Sequence, residues 1–212
     1  MKNKLQLISA VIFFGSIWGI LEATLGYVLH IIPGLSLYMS GAVLFAFASY
    51  ILFRAYRVTN SRLALLGVGF IAAAIKSVDF LLPLASPFKV INPMLSIIME
   101  SLMVVAVISM LNKDSLTSKV KAVVIASIGW RLLYFAYMGI QYLTTGFVYL
   151  QTATQYLEFF GLYALGSAAF GLVIIYIDNF ISSHIRQINY KLYKPVFSAL
   201  SLILAIVLTL AL

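Results

Sequence analysis

Six ionisable side chains lie within long apolar stretches of the sequence, where a charge is costly. They are Glu22, Lys76, Asp79, Glu100, Arg131 and Glu158. A charge at the centre of a bilayer costs about 3 kcal/mol on insertion scales, so such groups face a bundle interior or a water-filled cavity. We therefore expect the six to converge on one protein-lined site for a small polar solute. The alternative interpretation is a set of structural ion pairs that hold the helices together.

The first of these residues belongs to a face of small and aromatic residues. Gly15, Trp18, Gly19, Glu22 and Gly26 recur at intervals of three and four, so they share one side of a helix. Glycines at this spacing allow two helices to approach closely. The pattern predicts that Glu22 lies beside Trp18 on a tightly packed helix face.

Two further pairs have the spacing of one helical turn. Lys76 and Asp79 can form an ion pair within their own helix. Arg131 and Tyr134 lie on one stripe of another helix. These pairs predict polar contacts along the inner faces of two more helices.

Two tryptophans lie deeper in the apolar stretches than an aromatic belt at the membrane surface requires. Trp18 and Trp130 can stack on a flat ring or face a cation. Together with the charged positions they complete the predicted substrate-binding set, which is Trp18, Glu22, Lys76, Asp79, Glu100, Trp130, Arg131, Tyr134 and Glu158.

Catalytic and cofactor-binding motifs are missing from the sequence. It contains no cysteine, no His-Glu-x-x-His, no Gly-x-Ser-x-Gly and no Walker motif. The only histidines, His30 and His184, fall at opposite ends of the predicted spans and cannot share a metal ion. We therefore expect neither an enzyme, nor a metal site, nor a cofactor.

The composition requires lipid as the solvent of most of the chain. Of the 212 residues, 63% are hydrophobic and 9% are charged, whereas soluble domains have roughly 45–50% apolar and about 25% charged residues. A soluble fold of this size could not bury so much apolar surface. The net charge of +8 fits cytoplasmic loops rich in Lys and Arg rather than nucleic-acid binding.

Apolar stretches of about 20 residues, the length that crosses a bilayer, divide the chain into membrane spans. The spans are predicted at 6–29, 36–54, 63–83, 93–112, 119–142, 154–178 and 195–212. The predicted fold is an all-α integral membrane protein with a six-helix core, residues 1–180, of three in-out-in hairpins. An interfacial amphipathic connector, 181–194, leads to a seventh C-terminal transmembrane helix, 195–212.

The distribution of cations predicts the orientation. The N-terminus and the loops after spans 2, 4 and 6 are rich in Lys and Arg, whereas the loops at 30–36, 84–92 and 143–153 contain only Lys89. By the positive-inside rule the N-terminus is cytoplasmic and the C-terminus is outside the cell membrane. The six ionisable residues then lie in the middle or outer half of the membrane, above apolar inner halves. This arrangement is typical of a binding cup open to the outside.

A six-helix core with this orientation and a small-residue first helix, Gly15-Ser16-Ile17-Trp18-Gly19, resembles the substrate-capture (S) components of energy-coupling factor transporters. The resemblance implies binding of a vitamin or metal near the outer surface. It also implies docking of the first helix, through Ala10, Gly15 and Gly19, onto a transmembrane coupling subunit driven by two ATPases. The loop at Pro33-Gly34 would be a gate. The seventh span is an addition to that plan.

We therefore expect a membrane-embedded protein that captures a small polar or aromatic nutrient for uptake powered by partner ATPases. The excess of carboxylates over cations in the spans favours a cationic or zwitterionic ligand, such as an amine-bearing vitamin. Three alternatives remain open. They are a proton- or ion-coupled secondary transporter, a membrane-embedded enzyme acting on a lipid-linked substrate, and a structural subunit of a larger complex.

Overall fold

The computed structural model describes residues 4–32, 37–83, 86–184 and 194–212. In this part of the chain the regular structure is helical, without strands. Six helices are long and apolar enough to cross a membrane. The prediction of an all-α, multi-pass membrane architecture is therefore confirmed. The predicted gate at Pro33-Gly34 lies outside the described residues.

Eight α-helices account for most of the described residues. They are α1 Lys4–Ile31, α2 Leu37–Thr59, α3 Arg62–Lys76, α4 Phe88–Leu111, α5 Leu116–Thr145, α6 Ala153–Leu157, α7 Tyr163–His184 and α8 Pro195–Ala211. A 3₁₀ segment, Ser77–Leu81, extends α3, and a π-helical turn, Glu158–Leu162, joins α6 to α7. Most helices extend a few residues beyond the predicted spans.

The fourth span begins earlier than predicted. Pro93 was expected at its first turn, but α4 begins at Phe88 and Pro93 lies inside the helix. A proline there removes the intrahelical bond that its N–H would make to the carbonyl of Lys89. The prediction misplaced the helix start because proline is most common at the first helical position.

Turn residues and side-chain caps set several helix ends. Asn60 turns the chain between α2 and α3 with φ 51, a left-handed conformation that asparagine tolerates. Ser61 and Ser115 cap α3 and α5 by accepting from backbone N–H groups. Thr152 opens α6 in a capping box, and Gly146 ends α5 with φ 72.

The helices pack against one another around a core of buried apolar side chains. Large side chains such as Trp18, Phe45 and Ile108 are fully buried between them. Outside, the surface is also apolar, for example at Leu143 and Leu157, which are 82% and 73% exposed. A soluble protein rarely exposes contiguous apolar surface on this scale, so lipid is the expected neighbour of these side chains.

The predicted docking residues on α1 are buried inside the bundle. A Cβ added at Gly15 would lie 2.6 Å from Cβ of Ile71, and one at Gly19 would lie 2.8 Å from Cδ1 of Ile75. Ala10 is only 2% exposed. In this structure α3 of the same chain occupies the groove that the two glycines create, and the docking role of the three residues stays a prediction.

The C-terminal helix α8 packs against α1. The Ser198 hydroxyl donates to the backbone carbonyl of Ser9 at 2.7 Å, and Ser198 itself is 1% exposed. With 17 residues, α8 is about 25 Å long, shorter than the six spans. Its full crossing of the membrane stays a prediction. Of the predicted connector at 181–194, residues 185–193 lie outside the described part of the chain.

Candidate functional site

A carboxylate on α1 is held by a buried indole. Trp18 is 1% exposed, and its Nε1–H donates to Oε1 of Glu22 at 3.1 Å. The two residues are one turn apart on the helix. Because packing fixes the indole, the hydrogen bond also limits where the Glu22 carboxylate can lie.

A second carboxylate, on α4, is more deeply buried. Glu100 is 3% exposed, and its Oε1 accepts from the Ser96 hydroxyl at 3.0 Å. Its Oε2 is buried and has no hydrogen-bond partner among the residues that the structure describes. Glu100 interacts electrostatically with Glu22 on α1 and Arg131 on α5. Three of the six predicted ionisable residues, one each from α1, α4 and α5, are therefore close enough to interact electrostatically.

The guanidinium of Arg131 is occupied by neutral oxygen atoms. Nη1 donates to the Ser127 carbonyl at 2.8 Å and to its hydroxyl at 3.1 Å. Nη2 donates to the Tyr163 carbonyl at 2.9 Å and to the Ser167 hydroxyl at 2.7 Å. Arg131 thus joins α5 to α7, and its hydrogen bonds go to these helices rather than to a carboxylate.

The contacts of Arg131 follow directly after the π-helical turn. The Tyr163 N–H bonds to the Glu158 carbonyl in that turn, while the Ser127 hydroxyl donates to the Ala164 carbonyl at 2.6 Å. Turns of this kind interrupt α-helices frequently at functional sites. Here the π turn is followed directly by Tyr163 and Ala164, whose carbonyls accept hydrogen bonds from side chains of α5.

Aromatic rings surround Trp130. It stacks on Phe45 with centroids 5.8 Å apart and meets Tyr134 and Phe159 edge-on at 6.2 and 6.3 Å. The Arg131 guanidinium carbon lies 4.5 Å from the ring centroid. The Trp130 Nε1–H is buried without a hydrogen-bond partner. The aromatic cluster from α2, α5 and the π turn thus contains an indole N–H that donates no hydrogen bond to a described residue.

Lys76 and Asp79 form an ion pair of their own. Lys76 Nζ lies 2.7 Å from Asp79 Oδ2, where α3 passes into the 3₁₀ segment. Their side chains are 22% and 13% exposed. Neither makes a further ion pair with another described residue. The pair neutralises itself and does not join the carboxylates of α1 and α4.

Glu158 also remains separate from the cluster in its bonding. It begins the π turn and is half-buried. Within the described ranges its side chain makes no hydrogen bond or ion pair. The structure therefore divides the predicted charged set into the group Glu22, Glu100 and Arg131, the Lys76–Asp79 pair, and a lone Glu158.

The two cavities described in the structure lie elsewhere. One, of about 460 Å³, has an apolar lining between α3 and α4. The other, of about 270 Å³, lies between α5 and the loop that follows it. None of the six ionisable residues lines either of these two cavities, and the open cup stays a prediction. Among the described residues no three potential metal ligands come together.

A second polar network, which the sequence did not reveal, connects the loop after α5 to the bundle. The Tyr137 hydroxyl donates to Asn92 Oδ1 at 2.8 Å. The Tyr149 hydroxyl accepts from Asn92 Nδ2 and, at 3.2 Å, from Gln141 Nε2. Leu150, 3% exposed, follows Tyr149 into the core. The network holds this loop against α4 and α5.

Some side-chain partners of the site residues could have been predicted from the sequence, and others could not. Ser96 and Ser127 each precede an intramembrane charge, Glu100 and Arg131 respectively, by four residues. A hydroxyl one turn before a buried charge is a pattern that sequence reasoning can use. The stacking of Phe45 on Trp130 joins helices distant in the chain, and no local pattern indicates it.

The fold and site together define a polytopic α-helical membrane protein with buried carboxylates and aromatic rings between its helices. Comparison with protein-family models, with curated proteins and with solved structures gave no match to this chain. Its function must therefore be argued from the cluster itself.

Proposed function

We propose that this protein captures a small polar or aromatic solute from outside the cell for uptake. The observation that carries the proposal is the pair of unpartnered polar atoms, Glu100 Oε2 and Trp130 Nε1, buried on neighbouring helices. A buried polar atom without a hydrogen bond costs about 1–3 kcal/mol, and more when charged. A solute that forms hydrogen bonds with both atoms would recover this cost. Binding is therefore favoured beside these two atoms.

The orientation of the proposal follows from the loop charges. Arg57 and Arg62 flank the turn between α2 and α3, and Lys113 and Lys119 flank that between α4 and α5. The positive-inside rule assigns these turns to the cytoplasm. The N-terminus is then inside, the C-terminus outside, and the carboxylate pair lies in the middle or outer half of the membrane.

Uptake in this proposal uses partner ATPases, because the chain has no nucleotide-binding motif. Since Ala10, Gly15 and Gly19 are buried by the chain's own helices, a coupling subunit would bind a different surface.

Ligand-dependent thermal stability tests the proposal. The purified full-length protein is heated in detergent with a panel of small nutrients, and a captured solute raises the melting temperature. Glu100→Gln and Trp130→Phe should lose that increase. Asp114→Asn, a matched carboxylate change in the exposed α4–α5 turn, should keep it. Absence of any protected state across the panel, alone or with co-purifying subunits, would count against capture.

A proton- or ion-coupled carrier is the second candidate, and one observation favours it. Glu22 and Glu100 interact electrostatically inside the bundle, and close carboxylates can exchange a proton or cation during transport. This function predicts accumulation of solute in liposomes that contain only this chain and carry a pH gradient. The capture protein should show no sustained accumulation there.

A further inference from the structure

We propose that the groove between α3 and α4 binds one acyl chain of an anionic phospholipid, whose headgroup lies beside Arg62. The groove is the larger of the two described cavities, with a volume of about 460 Å³. None of its lining residues belongs to the proposed solute site, so either proposal can fail without the other. The lining, the length and the charge at one end of the groove each favour this occupant.

The lining of the groove suits an apolar occupant. Leu63 and Phe70 of α3 and Leu102 of α4 are exposed, so the groove opens on the outer surface of the bundle. The only hydroxyl among the lining residues is that of Ser101, and it donates to the carbonyl of Ile98 at 2.8 Å. Because that hydroxyl is already hydrogen-bonded, an apolar chain leaves no lining side-chain donor without a partner.

Close packing of α3 and α4 forms the floor of the groove. A Cβ added at Gly69 would lie 2.6 Å from Cβ of Ser101, and both residues are buried. No side chain fits between the two helices at this point. The groove is therefore a recess in the surface of the bundle, and its occupant comes from the surrounding lipid phase.

The length of the groove matches one leaflet of a bilayer. On α3 the lining extends from Leu63 to Phe70, which is about 10 Å along the helix axis. One leaflet provides about 15 Å of hydrocarbon, half the thickness of the bilayer core. A partner's transmembrane helix would contact α3 along most of its length, whereas a lipid tail ends within its own leaflet. The length therefore favours an acyl chain.

One end of the groove is positively charged. Arg62 is exposed and directly precedes Leu63 at the start of α3. Because α3 and α4 are consecutive spans, α4 ends on the same side of the membrane, where Lys113 and Asp114 are exposed. Asp114 offsets its neighbour Lys113, but no carboxylate adjoins Arg62 in the sequence.

This end of the groove can bind a phosphate group. Basic residues at the membrane surface attract anionic headgroups, and a guanidinium can donate two parallel hydrogen bonds to phosphate oxygens. The N-terminus of α3 adds to the attraction, since its helix dipole is positive there. A phospholipid with its headgroup at Arg62 extends its chain along Leu63 toward Phe70.

Tryptophan quenching by brominated lipids tests which molecule fills the groove. Phe70→Trp places a reporter beside the groove, and Leu165→Trp places one on α7, where the native residue has the same exposure of 66%. Each full-length variant is reconstituted in phosphatidylcholine vesicles with the same fraction of brominated phosphatidylglycerol or brominated phosphatidylcholine. The wild-type signal of Trp18 and Trp130 is subtracted. Phosphatidylglycerol should quench Phe70→Trp more strongly, whereas the two lipids should quench Leu165→Trp equally.

Two results of this experiment contradict the proposal. Equal quenching of Phe70→Trp by both brominated lipids would show that the groove does not select an anionic headgroup. Weak quenching by both, compared with Leu165→Trp, would show that a protein partner covers the groove. Either result overturns the inference.

Charge variants in the Phe70→Trp background test the headgroup position. Arg62→Gln should lower the affinity for phosphatidylglycerol about fivefold, and Arg62→Lys, which keeps the charge, should restore it. Lys121→Gln is the matched control, because Lys121 is an exposed cation at the same end of the bundle that does not line the groove. All these positions are exposed, so the melting temperatures should stay close to that of the wild type. Equal losses in Arg62→Gln and Lys121→Gln would assign the attraction to the whole basic surface and overturn the inference.

Discussion

Arg131 and Glu100 are both almost fully buried, at 1% and 3% exposure, but their surroundings differ. Both terminal nitrogens of the arginine donate to oxygen atoms and only its Nε lacks a partner, whereas the glutamate keeps one of its two carboxylate oxygens without a partner among the described residues. Burial of a charge is tolerated when hydrogen bonds replace water. Arg131 therefore joins α5 to α7, and Glu100 Oε2 is the acceptor that the proposed function assigns to a ligand.

Arg131→Lys should destabilise the protein although it keeps the charge. A lysine cannot bond to Ser127, Tyr163 and Ser167 together, because it lacks the planar fork of the guanidinium. We expect a loss of about 2–4 kcal/mol in the free energy of unfolding, measured by denaturant titration in detergent. Arg62→Lys, at an exposed position, is the control. Unchanged stability with lost solute binding would instead assign Arg131 to the ligand.

At the scale of helices, the position of α1 determines what surrounds the carboxylates. It packs against α3 through Gly15 and Gly19 and against α8 through Ser198. Close approach of α1 to α3 leaves room for neither a larger side chain nor a partner helix. The same packing fixes the height of Trp18 and Glu22, which lie within about two turns of these glycines along α1.

Two glycine substitutions test this packing. Gly15→Ala places a methyl group 2.6 Å from Cβ of Ile71 and 3.0 Å from the carbonyl of Val68, so overpacking should cost about 1–3 kcal/mol. Gly166→Ala in α7 meets no atom within 4 Å and should be neutral or stabilising by up to about 1 kcal/mol. Thermal unfolding in detergent gives the comparison. Equal effects of the two changes would show that the α1–α3 contact is loose.

At the scale of the molecule, lipid completes the structure. Six helices have the length and hydropathy to cross a bilayer, and apolar side chains cover much of the outer surface. Because lipid tails provide no hydrogen bonds, every buried polar group must find its partner within the bundle or in a bound solute. This requirement is the reason why the proposed function is built on Glu100 Oε2 and Trp130 Nε1, which lack a partner among the described residues.

The orientation can be tested with introduced cysteines, since the native chain has none. Gln151→Cys lies in the exposed loop before α6, and Asp114→Cys lies in the exposed turn between α4 and α5. In intact cells a membrane-impermeant maleimide should label the first variant and not the second. Labelling of Asp114→Cys alone would invert the topology and move the carboxylate pair toward the cytoplasmic side.

Sequence reasoning predicted the helical membrane architecture because its signals are local. Apolar stretches of about 20 residues indicate the helices that cross the membrane. The predicted helix ends were wrong where a residue type fits two positions in a helix. Pro93, for example, lies inside α4 rather than at its start. The ion pair of Lys76 with Asp79 was also predictable, since both residues lie on one helix turn.

By itself the sequence determined that the chain is a multi-pass helical protein with costly charges in its apolar spans. Only the tertiary structure decided that Glu22 and Glu100 interact electrostatically, that Arg131 bonds to α7, and that the α1 glycines are buried. The physical reason is that hydropathy and turn chemistry act over a few residues. The partner of a buried side chain instead depends on how all the helices pack, because each contact joins segments far apart in the chain.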